Sequence, residues 1–571
     1  MVEVFSFNNE KAKENFPDSI QIRFLRNYTL EGITPYLSYL CYESQLNPTF
    51  KFGGYGTFVT ELMSGQVEGD DIIVLSLIEQ PYFQNYRFGE LDIDAIKDDL
   101  QSTFELLREN SAQVIINTFL EPLFPEYGVS NLGGTEDKRH HIRELNRFIQ
   151  NYQREHQNQF YCFDFNRYMA LLGEQRAITY KNYYTKKSFF SNDFLSLYAH
   201  DIATTVNALK GKAKKCLVLD CDNTLWGGIV GEDGIDGIKI DPQEYPGNIF
   251  YQFQLRVLSL YNRGILIALA SKNNEEDVFN VLDNHPHCLI KREHLASHRI
   301  NWNNKADNIL SMQEELNIGI DSFVFVDDNP SECELVRQAV PEVEVLQVPE
   351  KLHDYPEIVL KTGWFDGLRV SSEDKNRTQL YQQESKRKGA AKRYSNLNDF
   401  YKSLEIEIEI SEATEGQLPR VAQLTQKTNQ FNLTTIRYSA AQIEQMNADE
   451  NCRIYCLSVK DKFGDLGNTG VLIAQKEQEA IVIDSFLLSC RILGKNIEKA
   501  FVYYCLENLK NAFNQDHFVA TYSPTKKNRQ TELFWEQVGL SLVEENEGGK
   551  RYELKGTLAD KLNEIDYIKI N

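Results

Sequence analysis

No stretch of this chain comes near 18 uninterrupted apolar residues, so no membrane-spanning helix is expected. Basic residues are in short supply: 61 Lys and Arg face 83 Asp and Glu, a net charge of −22. That excludes nonspecific nucleic-acid binding and attachment to an anionic membrane, both of which need a basic patch. Small phosphate ligands stay open, because local groups hold them. Paired cysteines are missing as well: the 10 Cys are scattered singly, and Cys452 and Cys456 have no second pair to complete a zinc site. Free thiols, and a polar start without a signal segment, place the expected location in the cytoplasm. What is present, 42% hydrophobic and 12% aromatic residues over 571 positions, suffices for three or four folded domains.

The chain is organised around Lys215-Cys216-Leu217-Val218-Leu219-Asp220-Cys221-Asp222-Asn223-Thr224-Leu225-Trp226-Gly227-Gly228. A short apolar run stops at two carboxylates, then Thr, then a Gly pair. This predicts a buried parallel strand whose carboxyl end delivers Asp220 and Asp222 into a crevice, where open α/β sheets bind ligands. Two acids so close repel unless a cation or proton lies between them, and Mg²⁺ with its oxygen ligands meets that need. A second buried strand, from Ile265, ends on the hydroxyl of Ser271. Lys305 falls in the first turn of a predicted helix, where a cation opposes the helix dipole and so speaks for a role beyond local stability. A third strand, from Phe323, ends at Asp327 and Asp328.

Strand-Asp-x-Asp, strand-Ser, helix-Lys and strand-Asp-Asp, in that order, resemble the four motifs of the haloacid dehalogenase (HAD) superfamily. The resemblance implies a HAD Rossmann-like domain over about 208–366, with Asp220, Asp222, Ser271 and Lys305 catalytic. It also implies Mg²⁺ as cofactor, held by Asp220, by the backbone carbonyl of Asp222, and by Asp327 or Asp328. Asp220 would form an aspartyl phosphate while Asp222 serves as acid and then base. From Asp222 to Ser271 is 49 residues and from Ser271 to Lys305 is 34, which leaves no room for a large cap domain. Only a glycine-rich flap, Gly227 to Gly234, is expected beside the site. An open site suits a substrate carried on something large.

Before this domain, residues 1–205 alternate strands (near Ile20, Ile72, Val114 and Phe160) with helices, the pattern of a three-layer α/β domain. The order resembles SGNH-hydrolase folds, yet Asn27 stands where the nucleophilic Ser would follow the first strand, and no Asp-x-x-His closes the region. A non-catalytic scaffold is expected, with His140 and His141 as solvated helix residues. After it, the charged stretch 371–400 reads as a solvated helix or linker. Residues 401–571 open with the strictly alternating Leu404 to Ile410 and continue with strands near Arg453, Gly470 and Ala480. The last leads through Ser489-Cys490-Arg491-Ile492-Leu493-Gly494-Lys495-Asn496 into a helix, an arrangement that can form an anion-binding nest. It resembles the pyrophosphate loop of GNAT acyltransferases, except that Asn496 replaces the usual Gly or Ala. The resemblance implies a GNAT-like α+β domain in which Arg491 and Gly494 hold a phosphopantetheine.

The segment Asp220 to Gly228 with Gly231 to Gly234, the segment Thr425-Gln426-Lys427-Thr428-Asn429-Gln430-Phe431-Asn432-Leu433-Thr434, and Ser489 to Gly494 together resemble the FkbH-like proteins of the HAD superfamily. Members associated with polyketide assembly load a glyceryl unit from 1,3-bisphosphoglycerate onto an acyl carrier protein through an enzyme thioester. The resemblance thus implies an acyl carrier protein and a phosphorylated acyl donor as partners. Cys490 and Cys221 compete for the thiol role: Cys221 lies in the site, but strand alternation turns it away from Asp220. Cys490 has Arg491 as a neighbouring cation. A plain Mg²⁺ phosphatase is the rival reading, and a non-catalytic assembly protein is disfavoured by the intact motif set.

Overall fold

Parallel strands need long crossovers and helices on both faces, so their sequences are continuous apolar runs rather than alternating ones. Two such sheets form the first two thirds of the computed structural model. It describes residues 2–12, 14, 16, 18–84, 91–124, 128, 137–368, 376–391, 394, 396–525, 527–546, 548–562 and 565–571. The chain divides into two compact units, one of Met1–Asn207 with Ser439–Gln442, the other of Ala208–Tyr438 with Ile443–Asn571.

In the first unit, β1 (Asp18–Arg26), β2 (Leu46–Tyr55), β3 (Ile72–Ser76), β4 (Gln113–Asn117) and β5 (Phe160–Phe163) form an all-parallel sheet in the order β2-β1-β3-β4-β5. The order reverses at β1, so the crevice for a ligand would open beyond β1 and β3. Asn27 stands at that point. Its side chain is spent on the chain itself, accepting from the Ile78 N–H and donating to the Ile78 carbonyl, both at 2.9 Å. His141, expected in solvent, is instead buried on the packed face of helix Lys138–Glu155 with Ile142 and Leu145. The helical stripe, not local polarity, decides burial there.

The second unit holds two sheets. In the first of them, β6 (Cys216–Leu219), β7 (Leu266–Ser271), β8 (Leu295–Ile300), β9 (Phe323–Asp327) and β10 (Glu344–Gln347) run parallel in the order β10-β9-β6-β7-β8. Cys216 and Val218 pack on one face with Leu266, Ala268 and Phe325, and Leu217, Leu219 and Cys221 on the other with Ile267, Leu269 and Val326. All carboxyl ends meet at one edge. Between Asp222 and Ser271 lie only helices Val230–Gly237 and Gly247–Asn262; between Ser271 and Lys305 lie helix Glu275–Asn284, a short turn and β8. Among the described residues, neither of these gaps holds a cap domain. The expected flap is an ordered helix kinked at Gly234, tied back by paired main-chain bonds between Gly227 and Lys239. Gly228 has φ +97°, and a Cβ there would meet Asp233 Oδ2 at 2.6 Å, which accounts for the glycine.

The last sheet is mixed and eight-stranded: β11 (Ile406–Glu412), β12 (Cys452–Asp461), β13 (Gly464–Lys476), β14 (Ile481–Leu488), β15 (His517–Tyr522), β16 (Ser541–Asn546), β17 (Gly549–Lys555) and β18 (Ile568–Ile570), ordered β16-β17-β15-β14-β13-β12-β11-β18. The parallel pair β14 and β15 touches only over Ile481–Ile483 and Phe518–Ala520, then splays. The segment Phe431 to Leu433 fills the opening. The Leu433 N–H donates to Phe486 O (3.1 Å), Leu488 N–H to Phe431 O (2.9 Å) and Ser523 N–H to Leu433 O (2.8 Å). Asn528, fully buried, clamps the insert by donating to Asn432 O and Ser523 O at 2.9 Å each.

The charged stretch before this sheet also departs from expectation. Most of its described part is helix Arg377–Ala391, and Arg387 on it is 1% exposed, held by Asp461 at 2.6 and 2.8 Å. Gln382 donates to Glu293 O and Leu295 O at the start of β8. The helix is a strut fastened to both sheets of its unit, because its charges have distant partners. Residues 371–375 lie outside the described part.

Asn528→Ala should lower the stability of the C-terminal sheet by about 2 kcal/mol or more, since it removes the side-chain donor that Asn432 O and Ser523 O share. Urea titration followed by hydrogen exchange at β14 and β15 checks this, and an unchanged midpoint with unchanged exchange contradicts it.

Candidate active site

The carboxyl edge of β6, β7 and β9 assembles the predicted HAD residues. Asp220 follows β6 and is buried; Ser271 ends β7, 1% exposed; Lys305 opens helix Lys305–Leu316; Asp327 ends β9 and Asp328 follows it. Lys305 Nζ lies 3.0 Å from Asp220 Oδ1 and pairs also with Asp327 Oδ2. Carboxylate oxygens of Asp220, Asp327 and Asp328 all lie within 4.8 Å of one another. Trans ligands of one Mg²⁺ are about 4.2 Å apart, so the three residues fit a divalent cation after a slight contraction. Asp222 contributes no side-chain oxygen to that group. Its carboxylate accepts from Trp226 Nε1 (2.9 Å) and Val230 N (3.0 Å) on Oδ1, and from Asn273 Nδ2 (3.0 Å) on Oδ2.

Charge is the dominant feature of the edge. Three carboxylates, two of them buried and one half-buried, face one ammonium, a deficit of two positive charges. Burial, reinforced by Asp327, pushes Asp220 up to about 6 against the pull of Lys305 and Ser271. Burial also raises Asp327 and Asp328, the latter with help from Asp220. Lys305 would be lowered by burial, but Asp220 and Asp327 outweigh that and hold it charged.

The thiols are placed otherwise. Cys221 sits in the core with Leu217 and Leu219, and burial together with Asp220 keeps its thiol protonated far above the usual range. Cys490, the other candidate thiol, is at the amino-end side of this sheet, away from Asp220. Its Sγ lies 3.8 Å from Tyr381 Oη, on the strut helix that binds Gly264 O and Leu295 O at the amino ends of β7 and β8. It is also among the groups that act on Lys215, just before β6. Lys215 and Asp220 are five residues apart along an extended strand, about 16 Å. Other contacts of the C-terminal sheet's domain, Lys215 to Lys427 O and Lys527 to Asp321, also lie at the amino ends. The two domains therefore do not face each other across the carboxylates.

The expected anion nest is also changed. Arg491 is nearly buried, its Nε 3.1 Å from Ser489 Oγ, and Gly494 O accepts from Tyr401. At the start of helix Ile497–Phe513 the buried carboxyl of Glu498 lies against the N–H groups of Glu498 and Asn496. Along β14 main-chain groups of Phe486 and Leu488 are taken by the Phe431–Leu433 insert.

Asn273 and Trp226 are site residues that the motif reading missed. Asn273 resembles any cap residue before helix Glu275–Asn284, and Trp226 reads as core; a donor two residues past the motif Ser is the one local signal.

The family model for NLI interacting factor-like phosphatases matches residues 215–345, a HAD-like phosphatase domain. Among solved structures, the N-terminal part of a Bacteroides fragilis protein, containing a phosphatase domain and complexed with Mg, is 27% identical with a TM-score of 0.59. It covers 64% of this chain and 99% of its own. The ribosomal-protein-S18-alanine N-acetyltransferase from Escherichia coli matches 27% of this chain and 96% of its own, at 11% identity and a TM-score of 0.21, a likeness too slight to carry an argument. No curated protein matches the chain.

Between about pH 4 and 6 Asp220 holds a proton in the folded, ion-free protein while an unfolded Asp, near 3.9, has lost it. The ion-free fold thus loses stability as pH rises from about 4 to 6, and a bound cation must restore it. Mg²⁺ affinity by calorimetry should rise up to about tenfold per pH unit between pH 5 and 6 and level off above, with proton release on binding. A pH-independent affinity contradicts this.

Proposed function

We propose that the chain is a Mg²⁺-dependent phosphatase that works through an aspartyl phosphate on Asp220 and accepts substrates carried on bulky partners. The deficit of two positive charges around Asp220, Asp327 and Asp328 carries this reading. A divalent cation held there supplies that charge and draws electron density from the phosphoryl oxygens. Asp220 attacks phosphorus as the bond to the leaving oxygen breaks, and Asp222 gives that oxygen its proton. Lys305 and the Ser271 hydroxyl hold the phosphoryl oxygens. Asp222 then takes a proton from water, which attacks phosphorus and frees Asp220. The short gaps between the motif residues, which among the described residues hold no cap domain, support access for a large substrate. The N-terminal domain, with Asn27 spent on Ile78, is read as a scaffold, and the GNAT-like C-terminal domain as a binding module.

A second reading rests on the FkbH-like segments at Asp220–Gly228, Thr425–Thr434 and Ser489–Gly494. Here the donor is 1,3-bisphosphoglycerate and the acceptor an acyl carrier protein. A thiolate attacks the acyl carbon, the carbon–oxygen bond breaks, and inorganic phosphate leaves with the electron pair; the site at Asp220 removes the remaining phosphate ester. The amino-end position of Cys490 weighs against its serving as relay, so the thiolate in this reading is the carrier's own phosphopantetheine thiol.

Asp220→Asn should cut phosphate release by about 10⁴-fold or more with the fold intact, and EDTA should do the same to the wild type. Wild-type turnover in Asp220→Asn would refute the mechanism. Intact mass spectrometry of a holo carrier after incubation with 1,3-bisphosphoglycerate distinguishes the two readings. A glyceryl thioester establishes the second, and free phosphate without a thioester the first.

A further inference from the structure

We propose that Asn273 is a positioning residue that aims the proton-carrying oxygen of Asp222 at the leaving group and couples it to Ser271. The proposal rests on the phosphatase reading and extends it to a residue outside the motifs. The two oxygens of Asp222 are not equivalent. Oδ1 receives the indole N–H of Trp226 at 2.9 Å and the backbone N–H of Val230 at 3.0 Å. Both partners are donors only, so a proton on Oδ1 would have to displace one of them. Oδ2 receives a single partner, Asn273 Nδ2 at 3.0 Å. The remaining lone pairs of Oδ2 are therefore the place for the transferable proton.

Asn273 fixes more than one atom. Its Nδ2 also donates to Ser271 Oγ at 3.1 Å, which uses both N–H groups of the amide. With a carboxylate oxygen as one partner, the orientation of that amide is not interchangeable, since the carbonyl end has nothing to donate. Ser271, receiving from Asn273, keeps its own proton for Asp220 or for a phosphoryl oxygen. Asp222, Asn273, Ser271 and Asp220 thus form one chain of contacts from the acid to the nucleophile. Asn273 is 6% exposed and Trp226 fully buried, so neither contact is a surface accident. The cost of losing such a clamp falls on proton transfer, because a carboxyl that turns by one rotamer no longer meets the leaving oxygen.

Single-turnover release of phenols from aryl phosphates of rising leaving-group pKa tests this with the full-length, Mg²⁺-loaded enzyme. Asn273→Ala should slow phenyl phosphate by about 10- to 100-fold, part of the 10²–10⁴-fold that a general acid supplies, and 2,4-dinitrophenyl phosphate by less than about 3-fold. In an Asp222→Ala background Asn273→Ala should slow phenyl phosphate further by less than about 3-fold, the share carried by its bond to Ser271. Equal slowing of all substrates, or slowing that multiplies with that of Asp222→Ala, overturns the proposal. Wild-type rates in Asp222→Ala would overturn the reading of Asp222 and the proposal with it. If Asn273→Ala fails to fold, Asn273→Leu, of similar volume and without a donor, carries the same measurements.

Discussion

The contact between Lys305 and the carboxylates of Asp220 and Asp327 is the constraint on which the catalytic domain is built. Isolated charges do not survive in a dry interior, and one ammonium cannot satisfy three acids. The sheet resolves this by ending β6 and β9 at one edge and placing the start of helix Lys305–Leu316 above them. The remaining deficit of two positive charges is what a divalent cation would supply. Asp222, two residues past Asp220, is held out of this cluster by three N–H donors and is left free for proton transfer.

Much of this edge was legible in the sequence because a buried parallel strand leaves a plain trace. Leu217 to Leu219, Leu266 to Ala270 and Phe323 to Val326 are apolar on both faces, and the polar residues that end them had to sit at the carboxyl edge. β8, which carries His298 and Arg299, and β2, with Pro48 and Lys51, gave no such trace. Both are sheet edges, where one side of the strand needs no apolar partner. Arg387 misled for a different reason. Its partner Asp461 is 74 residues away, and a buried bidentate pair looks in sequence like two solvated charges. Asn273 and Trp226 were invisible because their importance lies in where a turn aims one hydrogen.

The place of the C-terminal domain follows from sheet polarity. A domain that binds through Lys215, Asp321 and the strut helix is fastened to the amino ends of the strands, a strand length from the chemistry. The segment resembling a family signature, Thr425 to Thr434, turns out to supply the insert between β14 and β15. Its Asn432 and Phe431 are then explained by packing and main-chain pairing within the domain. The described contacts of the C-terminal domain thus lie at the amino ends of the catalytic sheet, away from its carboxyl edge.

The central claim is that phosphorus passes through the side chain of Asp220. Borohydride reduction of the acid-quenched enzyme, after mixing with substrate and Mg²⁺, tests it at the residue itself, because reduction of an acyl phosphate converts Asp to homoserine. Peptide mass spectrometry should then find homoserine at position 220, dependent on substrate and absent without the cation. Turnover with Asp220 unreduced, or reduction mapped to a different carboxylate, would contradict the account.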